Sequence, residues 1–238
     1  AMGLNTYGQL GDGTNNNRST PVQIVSSGVA LIDSLYENSA FVKSDGSLWA
    51  MGRNQYGQIG DGTTNNHNLP YQVLSSGVKE VSVGRYHMMY LKTDGSLWGF
   101  GRNHYGQLGD GSTTDRASPT QIRSSGITRI SVGENHSHFI DSNGTLWSVG
   151  HGGAGKLGDG TSQTRTSPVQ IINSGISLIS TGIQHSLFID ENGTLRTMGF
   201  NSSGQLGDGS TSNRNAPVVV TNGVKDLGTG HNHSFYFD

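Results

Sequence analysis

Apolar and polar residues alternate along short stretches of this chain, and the same stretches return in phase. "VKEVSVG" at 78–84 reappears as "ITRISVG" at 127–133 and "ISLISTG" at 176–182. Val81 and Val83 alternate with polar neighbours, the two-residue period of a strand packed on one face. A His-led strand follows, as in "HSHFID" at 136–141 and "HSLFID" at 185–190. An Asp-Gly or Asn-Gly pair comes next, at 45–46, 94–95, 143–144 and 192–193, and leads into "SLWAMG" or "TLWSVG". Such pairs tolerate the positive φ that a two-residue hairpin turn demands. No segment sustains a 3.6-residue period, so helix is expected to be almost absent.

The phrase G-Q-L-G-D-G, with small variations, starts at Gly8, Gly57, Gly106, Gly155 and Gly204, an interval of 49 residues each time. Pro21, Pro70, Pro119, Pro168 and Pro217 keep the same phase. Roughly four strands per repeat, taken five times, predict an all-β fold, a β-propeller of four-stranded blades. A β-solenoid is the main rival, but its coils are usually shorter and lack the hairpin-by-hairpin layout. One domain is expected over residues 1–238, with repeats at 1–49, 50–98, 99–147, 148–196 and 197–238.

Residues 1–3, "AMG", match 50–52, and Asp238 aligns with Asp190 just before an Asn-Gly turn. The expectation is a ring closed by pairing the N-terminal strand with "HSFYFD" in one composite blade, which would hide two sheet edges. The alternatives are a piece of a longer array, or two chains that self-associate by exchanging strands.

Composition narrows the functions. The 238 residues include 37 glycines and 13% charged residues, with a net charge of −2. Lys and Arg are scattered singly, so there is no basic stripe to neutralise phosphates, and no nucleic-acid partner is expected. No apolar run approaches the length that spans a membrane as a helix, and no membrane partner is expected. Cysteine is absent, which removes disulfides and thiol chemistry but leaves the compartment open. The opening "AMGLN" shows neither a signal-peptide nor a transit-peptide pattern.

The segment "GRNQYGQIGDGT…P…V…VSVGRYH…LKTDGSLWGFG" and its four relatives resemble the repeats of the RCC1 (regulator of chromosome condensation) family, over essentially the whole chain. The resemblance implies propeller blades of four antiparallel strands, of the kind found in bacterial RCC1-like proteins. It also implies several roles. The namesake is a guanine-nucleotide exchange factor that docks on nucleosomes, plant relatives sense ultraviolet light through clustered tryptophans, and bacterial relatives inhibit enzymes with the propeller face. This chain departs from the first two. Its repeats keep nearly constant length, so no inserted wedge is available, and it has no basic tail. Trp49, Trp98 and Trp147 share one repeat position, where Arg196 stands in the fourth repeat.

Several motifs invite a chemical reading. The spaced glycines of "GRNQYG" resemble a phosphate cradle, but no helix follows them. Asp12, Asp61, Asp110, Asp159 and Asp208 sit in oxygen-rich loops that suit calcium; each loop has one carboxylate, and turn hydrogen bonding is the simpler role. "HSH" at 136–138 and "HNH" at 231–233 place two imidazoles on one strand face, a zinc-like spacing. Yet His87, His136, His185 and His233 share one repeat position, which favours a scaffold role. No cofactor and no metal are expected, and Glu37, Glu80, Glu134 and Glu191 fall at differing repeat positions, so no pattern supports a catalytic pair among them.

Function is expected where the repeats differ. The pair ahead of each His-led strand reads Tyr36-Glu37, Arg85-Tyr86, Glu134-Asn135, Ile183-Gln184 and His231-Asn232. These mixed aromatic, charged and amide residues suit a protein-binding face at one mouth of the propeller channel. A second variable set is Leu4, Arg53, Arg102, His151 and Phe200, with Tyr7, Tyr56 and Tyr105 three residues on. The expected function is a non-enzymatic scaffold for a protein partner. The alternative is a lectin-like module with one sugar site per blade, which Ala154 and Ser203 interrupt at the tyrosine position. Nucleotide exchange and metal-dependent catalysis rank below both.

Overall fold

The structure, a computed structural model, describes residues 1–238. The chain divides into two compact units, residues 1–103 with 114–125, and residues 104–113 with 126–238.

The first unit holds two antiparallel sheets. One runs in the order β1 (Val29–Leu35), β2 (Asn38–Lys43), β3 (Leu48–Gly52) and β4 (His67–Leu74). The other runs β5 (Val78–Val83), β6 (His87–Lys92), β7 (Leu97–Gly101) and β8 (Arg116–Arg123). Each Asp-Gly pair turns the second strand into the third, and Gly46 takes φ +78° there. In both sheets the first strand carries one extra residue against the second, between Val29 and Leu31 and between Val78 and Glu80. A bulge of this kind sharpens the local twist. Alternate residues of the strands then meet between the two sheets: Ala40 and Val42 of β2 share a core with Val81 and Val83 of β5, Tyr90 of β6 and Phe100 of β7.

The second unit repeats the plan. It contains β9 (Ile127–Val132), β10 (His136–Asp141), β11 (Leu146–Gly150) and β12 (Arg165–Ile172) in one sheet, and β13 (Ile176–Thr181), β14 (His185–Asp190), β15 (Leu195–Gly199) and β16 (Arg214–Thr221) in the next. Ile140 and Leu146 pack on Ile176, Phe188 and Met198 between them. A two-stranded sheet follows, β17 (Asp226–Thr229) with β18 (Ser234–Phe237). The one helical element is a single 3₁₀ turn, Gly153–Gly155.

The all-β repeat plan expected from the sequence is present, with one difference at the ends. β18 pairs with β17 alone. Near the N-terminus Gly3 bridges Arg18, and Ala1 and Val22 exchange backbone hydrogen bonds of 2.7 and 2.8 Å. The closing strand pair expected between the two ends is therefore not among the pairs formed.

Candidate interaction site

The glycine phrase builds a loop in which the Asn and Asp side chains are satisfied within the turn, while the glutamine Nε2, as at Gln58, is buried without a partner. Asn54 is fully buried; its Oδ1 accepts the Ile59 N–H at 2.8 Å and its Nδ2 donates to Asp61 at 3.0 Å. Asp61 accepts the Thr63 N–H and hydroxyl at 2.9 and 2.7 Å and meets the His67 ring at 2.7 Å. Burial alone would raise the Asp61 carboxyl, but the Thr63 and His67 contacts hold it down at about 2. Asn5–Asp12–Arg18 and Asn201–Asp208–Arg214 reproduce the arrangement. These carboxylates are consumed inside their own turns, the role expected ahead of calcium binding. The Asn partner and the Arg or His partner were not singled out from sequence; their constant offsets from the aspartate, seven before and six after, were the available signal.

The histidine row bridges sheets. His185 Nε2 lies 3.0 Å from the Ser234 hydroxyl, and His136 Nε2 lies 3.5 Å from that of Ser186. Burial pushes His87 and His138 down to about 3 and His185 to about 4. His136 and His138 stand edge-on with centroids 5.2 Å apart, and nowhere do three His, Asp or Glu side chains converge on one point. At the tryptophan position, Trp147 donates its indole N–H to Asp141 at 3.0 Å, and Arg196 reaches the equivalent Asp190 at 2.7 Å. The arginine thus substitutes for the indole donor.

The two variable rows come together. The backbone N–H of Arg53 donates to the Glu37 carbonyl, Arg102 to Tyr86, His151 to Asn135 and Phe200 to Gln184, all at 2.8–2.9 Å. Each of these residues after a strand-ending glycine is thereby clamped beside the variable pair of its own sheet. In the first unit the side chains interleave. The Arg85 guanidinium lies 4.5 Å from the Tyr36 ring centroid and 4.9 Å from that of Tyr86. Arg102 lies 5.1 Å from both Tyr56 and Tyr86, Arg53 lies 4.8 Å from Tyr7, and Tyr56 meets Tyr86 edge-on at 5.8 Å. Arg53 also pairs with Glu37 at 2.6 Å. Tyr36 holds a φ of +55°, uncommon for a residue with a side chain.

In the second unit the row is less aromatic. Glu134 and Asn135 are half-buried, and Tyr105 packs on His151 with centroids 4.6 Å apart. Lys156, which replaces the glutamine of the other phrases, is pushed down to about 8 by burial, partly offset by Glu134. His231 and Asn232 are exposed and Gln184 is half-buried. Ile183 departs from the expectation for a surface row: it is buried at 3% exposure, because an aliphatic side chain in that hairpin turns inward. It offers no contact surface.

Models of the regulator of chromosome condensation (RCC1) repeat match residues 1–32, 45–91, 94–140, 143–189 and 192–237. The chain belongs to the RCC1 repeat family. A second model of the same repeat matches 78–107 and 176–205. No curated protein matches the chain. Among solved structures, human WBSCR16 is similar with a TM-score of 0.87 at 23% identity, covering 99% of this chain and 66% of its own. Prp20p of Saccharomyces cerevisiae, whose structure is described with its binding properties to Gsp1p and histones, gives 0.81 at 20% identity, with 95% and 60% covered. Yeast RCC1 (Prp20) bound to Kap60 gives 0.80 at 20% identity, with 94% and 57% covered. The RCC1 repeats here thus span between about half and two-thirds of those chains, and the likeness establishes the RCC1-like propeller fold.

Proposed function

We propose that this RCC1-repeat chain is a non-enzymatic scaffold that binds a protein partner through the clamped variable rows, with the Tyr–Arg ladder of the first unit as its anchor. The observation that carries this is the stacking of Arg85 and Arg102 on Tyr36, Tyr56 and Tyr86. A guanidinium held over a ring has lost part of its rotamer freedom before binding. Tyr and Arg are also the residue types in which interface energy concentrates. Protein binding is a property of the yeast relative, described with Gsp1p, histones and Kap60; the partner of this chain is a separate matter. Tyr36, Glu37, Arg85 and Tyr86 form the anchor surface on the first unit, Glu134, Asn135, Gln184, His231 and Asn232 are the corresponding contact residues of the second, and Ile183 supports that row from within.

The test is capture of partners on the immobilised chain, with a Tyr86→Ala, Arg102→Ala double variant as the comparison. The wild-type chain should retain a discrete protein that the variant loses while keeping its β-sheet circular dichroism. Retention of that protein by the variant, or binding confined to a glycan array, would sink the reading.

A further inference from the structure

The fourth glycine phrase, which lies wholly in the second unit, departs from the others at two positions. The other four carry a glutamine whose Oε1 accepts the N–H two residues earlier, that of Tyr7, Tyr56, Tyr105 and Ser203, at 2.8–3.0 Å. Lys156 stands there in the fourth, and an ammonium accepts nothing. An asparagine Oδ1 likewise accepts the N–H of Leu10, Ile59 and Leu206 at 2.8–2.9 Å. Gly152 stands in the fourth phrase at that place. The loop has lost two side-chain acceptors and gained a positive charge. Its backbone is reshaped as well: Ala154 takes φ +61°, inside the single 3₁₀ turn.

Lys156 is 3% exposed, as deeply set as the glutamines it replaces. In all four of those, Nε2 is buried without a hydrogen-bond partner in the protein. The position therefore presents a nitrogen donor in every repeat, and in four of them the donor is neutral. A neutral acceptor suffices for an amide; an ammonium drawn out of water is stabilised by an anion. Glu134 acts on Lys156 through its charge, with no hydrogen bond between them, and burial prevails, holding the ammonium down at about 8. His151, clamped beside Asn135 at the variable row, is lowered by its own burial and then by the Lys156 charge. The lysine thus lies beneath that row, within electrostatic reach of two of its residues.

We infer that Lys156 is the floor of an anion site in the second unit whose ligand is a carboxylate. One ammonium, opposed at longer range by Glu134, suits a singly charged ligand over a phosphate or sulfate dianion. A carboxylate also brings two oxygens to a loop that has lost two acceptors, where chloride brings a single centre. The carboxylate is that of a free small acid or of an acidic side chain on a protein; both present the same group to the ammonium. The site rests on the fourth phrase and not on the Tyr–Arg ladder, so it stands whether or not the ladder binds a protein.

Nuclear magnetic resonance of the lysine Nζ and Cε atoms tests the inference, with sodium acetate as the free acid and N-acetylglutamate α-amide as the side chain. At fixed ionic strength the Lys156 signal should shift saturably with acetate, and its titration midpoint should rise by at least about half a pH unit, while that of Lys225 stays in place. A response to acetate alone assigns the free acid, and a response to both probes admits the acidic side chain; either supports the site. Lys156→Gln, which installs the residue of the other phrases, should abolish the saturable response, followed on the His151 ring. Should that variant fail to fold, Glu134→Gln gives a second reading: with the opposing charge removed, acetate should bind at least about threefold more tightly. A Lys156 signal indifferent to both probes overturns the site. An equal response to chloride overturns the carboxylate, and unchanged or weaker acetate binding by Glu134→Gln overturns the electrostatic account of it.

Discussion

The loop that begins at Gly57 and the hairpin at Arg85–Tyr86 lie in the same unit and are built on opposite terms. In the first, backbone conformation dictates the residue: Gly57 and Gly60 adopt φ of +78° and +79°, and Asn54 and Asp61 use their polar atoms within the turn. In the second, the backbone is held by one clamp, from the Arg102 N–H to the Tyr86 carbonyl, and the side chains face outward onto one another. Where the fold engages the Asn and Asp side chains, the repeats largely spell alike, the fourth departing at Gly152 and Lys156; where it specifies only a carbonyl, they are free to differ. That contrast locates candidate function on the second kind of loop.

The largest effect that sharpens the contrast is expected at Gly57. A Cβ there would collide with the Ala117 backbone, and a β-branched residue fits poorly at positive φ. Gly57→Val should cost at least about 3 kcal/mol, through steric strain and core displacement together, and should collapse the thermal transition or abolish folding. Gly160 has φ +80° but open space around it, so Gly160→Ala should cost only the conformational term, about 1–2 kcal/mol. Equal melting temperatures for the two would break the claim that close approach, beyond φ, fixes the first glycine.

Asn54→Ala should come next. It strips the acceptor from the Ile59 N–H and the donor from Asp61 in a site sealed from water. Leaving buried partners unsatisfied costs on the order of 2–3 kcal/mol, read as a lower urea midpoint with unchanged slope. Asn15→Ala, on an exposed donor with one 3.4 Å bond, should fall within about 0.5 kcal/mol of wild type.

How much of this was legible in the sequence follows the same division. The strand periods, the Asp-Gly turns and the glycine phrase were readable because local conformation demands particular residues there. The bond from Asn54 to Asp61 spans seven residues and was hidden among Asn-rich turns that spell similar letters for other reasons. The clamp between the two variable rows was invisible, since a backbone carbonyl has no letter of its own. Ile183 shows the limit from the other side: its position in the row was correct, yet its burial depended on packing that no neighbour in sequence announces.

Acidity probes the scaffold side at intermediate strength. In the fold, burial holds His87 and His138 at about 3 and His185 at about 4, below the ordinary 6.5. The unfolded chain therefore takes up protons below pH 6.5 that the fold refuses, so stability is fully present above 6.5 and is lost as the pH falls toward 3. The Asp61 and Asp208 carboxyls, held down at about 2, act in the same direction, their contribution fading below the ordinary carboxylate range. Each such histidine contributes up to about 1.4 kcal/mol per pH unit over its window. His87→Asn, which installs the residue the first repeat has at Asn38, should flatten the melting-temperature slope between pH 6.5 and 4. An unchanged slope would remove the buried ring from the account.

A modest stability effect is expected on the variable rows, and it carries the most weight for function. Tyr86→Ala with Arg102→Ala removes three stacked contacts, those of Arg85 and Arg102 on Tyr86 and of Arg102 on Tyr56. Half-buried contacts of this kind contribute about 0.5–1 kcal/mol each, and the clamp from residue 102 survives because it uses backbone atoms. The melting temperature should therefore fall by about 3–12 °C with the folded transition intact, while partner capture is lost. Loss of the folded transition would show the ladder to be structural cement, and the two loops would then differ in spelling but not in purpose. A small drop with binding abolished is the outcome in which a row of stacked side chains is maintained for something outside the chain.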